Sequence, residues 1–206
     1  MAQEISTPSD EELARSTQAG SLDAFEELVR RYEGRLYGFL ASSCHTEADA
    51  REVTQDTFVR AFQAIAQFDP RRSFAPWLFA IARRKAIDRH RATPPADAGE
   101  PLPELCDYDD PAELLARRED GRVLWQFARR LLPEAQFQAL WLRYAEDMTV
   151  ADLAQVLKKT PTHIKVLLFR ARRTLGEELE RRRVTGSIIE PRFAKTSRRH
   201  PGFAPV

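Results

Sequence analysis

The sequence predicts an all-α protein of two small helical domains joined by a flexible acidic linker. Three observations carry this expectation. Apolar residues recur at three-and-four spacing through each long segment outside residues 93–111 and the C-terminal tail. Helix-opening pairs stand at Ser9 with Glu12, Thr46 with Asp49 and Thr149 with Asp152. Glycine is scarce, at 8 of 206 residues, and neither a GxGxxG nor a GxxxxGK[ST] pattern occurs, which disfavours glycine-rich nucleotide folds.

Ser9 and Glu12 open a short helix that Gly20 is placed to stop. Leu22, Phe25, Leu28, Val29, Tyr32, Leu36, Phe39 and Leu40 then line one face of a long amphipathic helix. Thr46 and Asp49 open a third helix, whose stripe is Ala50, Val53, Thr57, Phe58, Ala61, Phe62 and Ile65; Asp69-Pro70 ends it. Val53, Phe58 and Phe62 are expected to pack the domain. Ser73 opens a fourth helix, with Phe74, Trp77, Leu78, Ile81 and Ala82 to one side. Residues 93–111 hold five prolines among many carboxylates and read as an extended, mobile linker.

Beyond the linker, Asp110-Pro111 begins a helix running towards Leu131, disturbed at Gly121. A shorter helix carries Phe137, Leu140, Trp141 and Tyr144. Thr149 and Asp152 open the next, with Val150, Leu153, Ala154 and Leu157 inside. Residues 158–160 turn, and Thr160-Pro161 starts a last helix with Ile164, Leu168, Ala171, Leu175 and Leu179 inside. Two short helices around a tight turn, the second one basic, form a helix-turn-helix pattern. The last 23 residues show no sustained period and are expected to be disordered.

The net charge of +1 conceals strong segregation. Residues 1–60 carry −6, residues 70–92 carry +6, residues 93–120 carry −7, residues 158–183 carry +6 and the tail +3. Two basic blocks on two helical units point to two surfaces that face a polyanion. Enzymatic chemistry finds no support. His45, His90, His163 and His200 are scattered, HExxH and GxSxG are absent, and Cys44 and Cys106 lie in no metal-ligand spacing. No cofactor and no metal are expected. The polar, acidic N-terminus and the lack of a long apolar run predict a cytoplasmic protein with no membrane insertion.

The fourth helix, reading FAPWLFAIARRKAIDRHR, interleaves aromatics with cations; the cations suit phosphates and the aromatics suit unstacked bases. Trp77 and Phe74 read chiefly as core, whereas Arg84, Asp88 and Arg91 fall at i, i+4 and i+7 on an outward face. With FEELVRRYEGRLYGF and EADAREVTQDTFVRAFQAIAQFDP before it, this stretch resembles the second conserved domain of extracytoplasmic-function (ECF) sigma factors, specificity subunits of bacterial RNA polymerase. The run LPEAQFQALWLRYAEDMTVADLAQVLKKTPTHIKVLLFRARRTL resembles their fourth domain. The resemblance divides the chain into an N-terminal segment with a short helix (1–20), sigma domain two (21–92), an acidic Pro-rich linker (93–112), sigma domain four (113–183) and a basic tail (184–206).

The resemblance implies a function: binding core RNA polymerase, recognising and melting a promoter, and starting transcription. Asp49, Glu52, Gln55, Asp56 and Arg60 match the face that docks on the beta-prime subunit, with the beta subunit a further partner. Trp77, Arg83, Arg84, Lys85, Asp88 and Arg91 would border the minus-ten element. Thr162, His163, Lys165, Val166, Phe169, Arg170 and Arg173 would meet the minus-thirty-five element, with Arg172 on the same outer arc. The linker would thread the RNA path. An anti-sigma factor is a candidate partner, because Val166, Leu167 and Phe169 would give the last helix an apolar patch.

Two departures from the family pattern stand out. Arg84 occupies a position that is usually Asn, and residues 162–167 (THIKVL) replace the usual Gly-Thr-Val-Lys-Ser-Arg. Two other readings compete: a helix-turn-helix regulator that works without polymerase, and a helical adaptor that binds only protein. The acidic third helix separates the first of these from a sigma factor, since a simple regulator has no use for it.

Overall fold

The computed structural model describes residues 7–44, 46–92 and 124–184, and the regular structure among them is helical. The linker, the helix start at Asp110-Pro111 with its disturbance at Gly121, and the tail from residue 185 lie outside the described residues. In chain order the helices are α1 (Asp10–Gln18), α2 (Leu22–Leu40), α3 (Glu47–Ala64) and α4 (Phe74–Ala92), followed by α5 (124–131), α6 (Glu134–Tyr144), α7 (Val150–Leu157) and α8 (Pro161–Val184). A 3₁₀ turn, Ile65–Gln67, finishes α3 before Asp69-Pro70.

α1 begins with a reciprocal cap. The Ser9 hydroxyl accepts from the Glu12 amide, and the Glu12 carboxylate accepts from the Ser9 amide. Gly20, at φ +100°, adopts the left-handed backbone that lets the chain turn into α2. The polar residues of α1 then hold other helix ends. Glu11 accepts from the Phe74 amide at 3.0 Å, satisfying one of the donors left open at the start of α4. Gln18 donates to the carbonyls of Ile65 and Phe68, both at 2.8 Å, where α3 runs out. Asp10 accepts from the Tyr32 hydroxyl and from Arg31. α1 is thus a polar clip across α2, α3 and α4.

The N-terminal core is aromatic. Phe39 meets Phe79 edge-on at 5.2 Å, and Phe74 meets Tyr32 at 5.5 Å and Phe68 at 5.4 Å. Leu28, Leu36, Leu40 and Leu78 are fully buried around them. Thr54 and Thr57 are buried too, and each donates its hydroxyl to the carbonyl four residues earlier. In the C-terminal unit α6, α7 and α8 pack on one another around Phe137, Leu142, Leu153, Leu157 and Ile164. Thr149 and Asp152 form the expected reciprocal cap of α7. Lys158, at φ 49°, makes the turn into α8.

Four expected core positions are corrected. Leu22 is exposed because it is the first residue of α2, beyond its neighbours. Phe62 is 41% exposed: it leans on Phe25 at 5.0 Å but stands at the rim of α3. Tyr144, the last residue of α6, is exposed. Leu179 is exposed because α8, at 24 residues, is roughly 36 Å long and outruns the 11 residues of α6 and the 8 of α7.

The two units also touch. α4 packs against α7, and α2 against α6, so the buried residues of both units form one continuous apolar cluster.

Candidate functional site

Three helical edges carry the residues singled out by the sequence. On α3, Thr46 caps the helix and donates to Asp49 at 2.8 Å, while Arg89 of α4 donates to the other Asp49 oxygen at 2.7 Å. These bonds, Thr46 first and Arg89 next, hold the Asp49 carboxyl below its ordinary range. Arg89 also reaches Glu52 at 2.7 Å, and Lys85 pairs with Asp56 at 3.4 Å. Asp49 is therefore turned inward, whereas Glu52, Gln55, Asp56 and Arg60 stay exposed along one edge.

On α4, Arg84, Asp88 and Arg91 share the solvent-facing side, as their spacing implies. Trp77 is half-buried, with its ring 5.1 Å from Phe68 and 5.5 Å from Phe74. Lys85 lies beside α3. Arg83 is half-buried, and its Nε is shielded from solvent without a hydrogen-bond partner.

On α8, the Thr160 hydroxyl accepts from the His163 amide at the helix start. Ile164, Leu167, Leu168 and Ala171 face inward. Thr162, His163, Lys165, Val166, Phe169, Arg170, Arg172 and Arg173 are all exposed. Leu167 is a correction: it is buried, so the apolar patch expected of Val166, Leu167 and Phe169 reduces to Val166 and Phe169. Arg173 pairs with Glu177 one turn along, and Arg172 donates to the Tyr144 hydroxyl at 3.2 Å. The α7–turn–α8 geometry is that of a helix-turn-helix with a cationic second helix.

The sigma-70 region 2 family matches residues 28–93, and the sigma-70 region 4 family matches residues 128–175. Together they take in more than half of the chain, in the order the two cationic helices follow. The chain belongs to the ECF class of sigma factors. It is 31% identical over 172 residues to the ECF RNA polymerase sigma factor BldN of Streptomyces coelicolor, covering 82% of this chain and 65% of that one. It is 28% identical over 182 residues to the RNA polymerase sigma-H factor of Pseudomonas aeruginosa, covering 83% of this chain and 94% of that one. Among solved structures, CnrH in complex with the cytosolic domain of CnrY is similar at 28% identity and a TM-score of 0.60, over 84% of this chain and 97% of that one. Sigma factors of this class direct transcription from particular promoters.

Several contacts of this sigma factor have no local signature in the sequence. Arg89 serves Glu52 and Asp49 of α3 from 37 and 40 residues away, and Glu11 caps α4 from 63 residues away. Between region 2 and region 4, Arg35 binds Glu146 from 111 residues away. Cys44 is half-buried, and burial above all pushes its thiol up to about 12, so it stays protonated. Among the described residues no group of three or more His, Cys, Asp or Glu could hold a metal ion, and no helix is long and apolar enough to cross a membrane.

Proposed function

We propose that this sigma factor binds core RNA polymerase through the exposed edge of α3, melts the minus-ten element along α4 and reads the minus-thirty-five element with α8. The observation that carries the reading is that regions 2 and 4 each present a cation-bearing helix with an exposed outer side. Glu52, Gln55, Asp56 and Arg60 form the docking edge towards beta-prime, with Asp49 fixing the helix start behind them. On α4, Arg84 and Arg91 lie where phosphates of the melted strand would run, with Asp88 between them. Trp77 supports the helix from below, and Arg83 and Lys85 flank it.

The N-terminal end of a recognition helix enters the major groove and its later cations meet the backbone. Thr162, His163, Lys165 and Val166 take the base-facing positions, and Arg170 and Arg173 the phosphate-facing ones. Val166 can pack its methyls on a thymine C5-methyl group, and Phe169 continues that apolar surface. The protein works by binding, without a covalent step of its own, in the cytoplasm where the polymerase is. CnrH is held by the cytosolic domain of CnrY; an anti-sigma factor is the corresponding partner class here, and Val166 and Phe169 are the residues it would cover on α8.

The test is run-off transcription with purified core RNA polymerase on promoters selected from a random library. The wild type is expected to start discrete transcripts. A Glu52→Lys, Asp56→Lys variant should keep its helical circular dichroism and lose competition for core enzyme. Lys165→Ala with Val166→Ala should change the selected upstream element. An unchanged upstream element, together with loss of protein capture, would mean that α8 binds protein instead of DNA.

A further inference from the structure

Both ends of the segment between α3 and α4 are held by one helix, α1. Glu11 and Gln18 stand seven residues apart, two turns, so they share one side of α1 at roughly 10 Å along its axis. Leu13, Ala14 and Thr17 between them are buried and seat α1 on the domain. At one end of the segment the Gln18 amide donates to the carbonyls of Ile65 and Phe68, each at 2.8 Å. At the other end the Glu11 carboxylate accepts from the Phe74 amide at 3.0 Å. All three backbone groups lie where a helix's own ladder of bonds runs out.

The turn between these anchors faces the solvent. Arg71 and Arg72 keep 92% and 75% of their side chains exposed, just ahead of the cations of α4. Within the turn, the Asp69 carboxylate accepts from the Arg71 amide at 3.0 Å, and the Asp69 carbonyl accepts from the Arg72 amide at 2.9 Å. Those bonds shape the turn but do not aim it. Behind it the Phe68 ring rests on Trp77 at 5.1 Å and on Phe74 at 5.4 Å. Ring contacts tolerate a range of angles, whereas a hydrogen bond weakens steeply as it bends. The direction of the turn relative to α4 is therefore set by Gln18 and Glu11.

We infer that Glu11 and Gln18 are positioning residues for promoter melting: from α1, without touching DNA, they fix the angle at which the Asp69–Ser73 turn and the start of α4 meet the melted strand. The inference rests on the reading above, in which α4 runs along the minus-ten element. Neither side chain carries much of the fold, because both are half-buried and water can take over the backbone groups they leave. What their removal costs is orientation, and a displacement of about 1 Å at a reacting surface can slow a step by up to about 100-fold.

The full-length wild type, Gln18→Glu, Glu11→Ala and Glu11→Gln are each combined with purified core RNA polymerase on a promoter selected by the wild type. Gln18→Glu keeps the size of the side chain and turns its donor into an oxygen facing two carbonyls. Glu11→Ala removes the acceptor for the Phe74 amide, and Glu11→Gln keeps one. Permanganate reactivity of the promoter thymines is expected to develop about ten-fold more slowly with Gln18→Glu and with Glu11→Ala, and within about two-fold of wild type with Glu11→Gln. Competition for core enzyme, and binding to a duplex carrying the upstream element alone, should be unchanged in all three. Melting at the wild-type rate by Gln18→Glu and Glu11→Ala overturns the positioning role and leaves the sigma-factor reading standing. Loss of core binding alongside melting, or an equal defect in Glu11→Gln and Glu11→Ala, overturns it as well, because a purely structural role gives those results. If the wild type itself binds no core or melts no promoter, the sigma-factor reading fails and the positioning role falls with it. Should Gln18→Glu lose its helical circular dichroism, Gln18→Met, which removes the donor without adding a charge, carries the same expectations.

Discussion

The interface inside region 2 and the interface between regions 2 and 4 are built from different materials. Inside region 2, α2 and α4 meet through Leu36, Phe39, Phe74, Leu78 and Phe79, all essentially without solvent contact. Between the regions, α7 packs on α4 within one continuous apolar cluster, and where α6 meets α2 the Trp141 indole on Gly38, the buried Glu146 carboxylate with Arg35 and the Gln138–Ser43 bond are added. Apolar burial is non-directional and grows with area, so the first interface defines a folding unit. Polar contacts gain little over water but are directional, so at the second interface they fix how α6 seats on α2. One chain thus carries an apolar joint and a joint of mixed apolar and polar contacts.

The largest break of this comparison lies in the apolar joint. Phe79→Ala, which removes the edge-on partner of Phe39, should cost about 4 kcal/mol in the global unfolding of region 2, read by urea denaturation. A loss below about 1 kcal/mol would mean that the aromatic core does not define the unit. Next comes Arg35→Ala at the mixed joint, which leaves Glu146 buried and uncompensated. Arg35 keeps 40% of its side chain in water. The loss should therefore be about 2 kcal/mol, less than the 3–5 typical of breaking a fully buried pair. It should appear as earlier separation of the regions in hydrogen exchange on α6 and α7, with α2 and α3 protection unchanged.

A third, smaller effect sharpens the comparison by pH. Asp49 has its carboxyl held below its ordinary value by Thr46 and then Arg89, within region 2. A depressed carboxyl stabilises the fold in full above its ordinary value of 3.8 and loses that contribution as pH falls through the lower folded value. Asp49→Asn should cost about 1 kcal/mol at neutral pH, and the difference from wild type should close as pH drops below 3.8 in thermal melts. Smallest in stability is Lys85→Ala. Its pair with Asp56 is surface-exposed, so the fold should lose less than about 1 kcal/mol. If Lys85 also neutralises a promoter phosphate, the salt dependence of DNA binding should drop by a slope of about one.

Much of this was legible locally. Ser9 with Glu12 and Thr149 with Asp152 form the reciprocal caps their spacing implies, because a cap needs only residues three apart. The outward placement of Arg84, Asp88 and Arg91, and of the cations of α8, follows from helical period alone. The inward turn of Asp49 was not legible, because it depends on Arg89, brought beside α3 only when α4 folds across it. Phe62 and Leu179 failed as core positions for a related reason: period says which side of a helix is apolar, not how far its neighbours extend.

By itself, then, the sequence determined the all-α class, the capped helix starts at Ser9, Thr46 and Thr149, the two cationic faces and the family, since each is written in residues a few positions apart or in an ordered motif. Only the tertiary structure decided which acids and cations neutralise each other across α3 and α4, and that Trp141 finds its seat on Gly38 while Glu146 finds Arg35. Those pairings are set by the packing of helices distant in sequence, and no spacing along the chain encodes them.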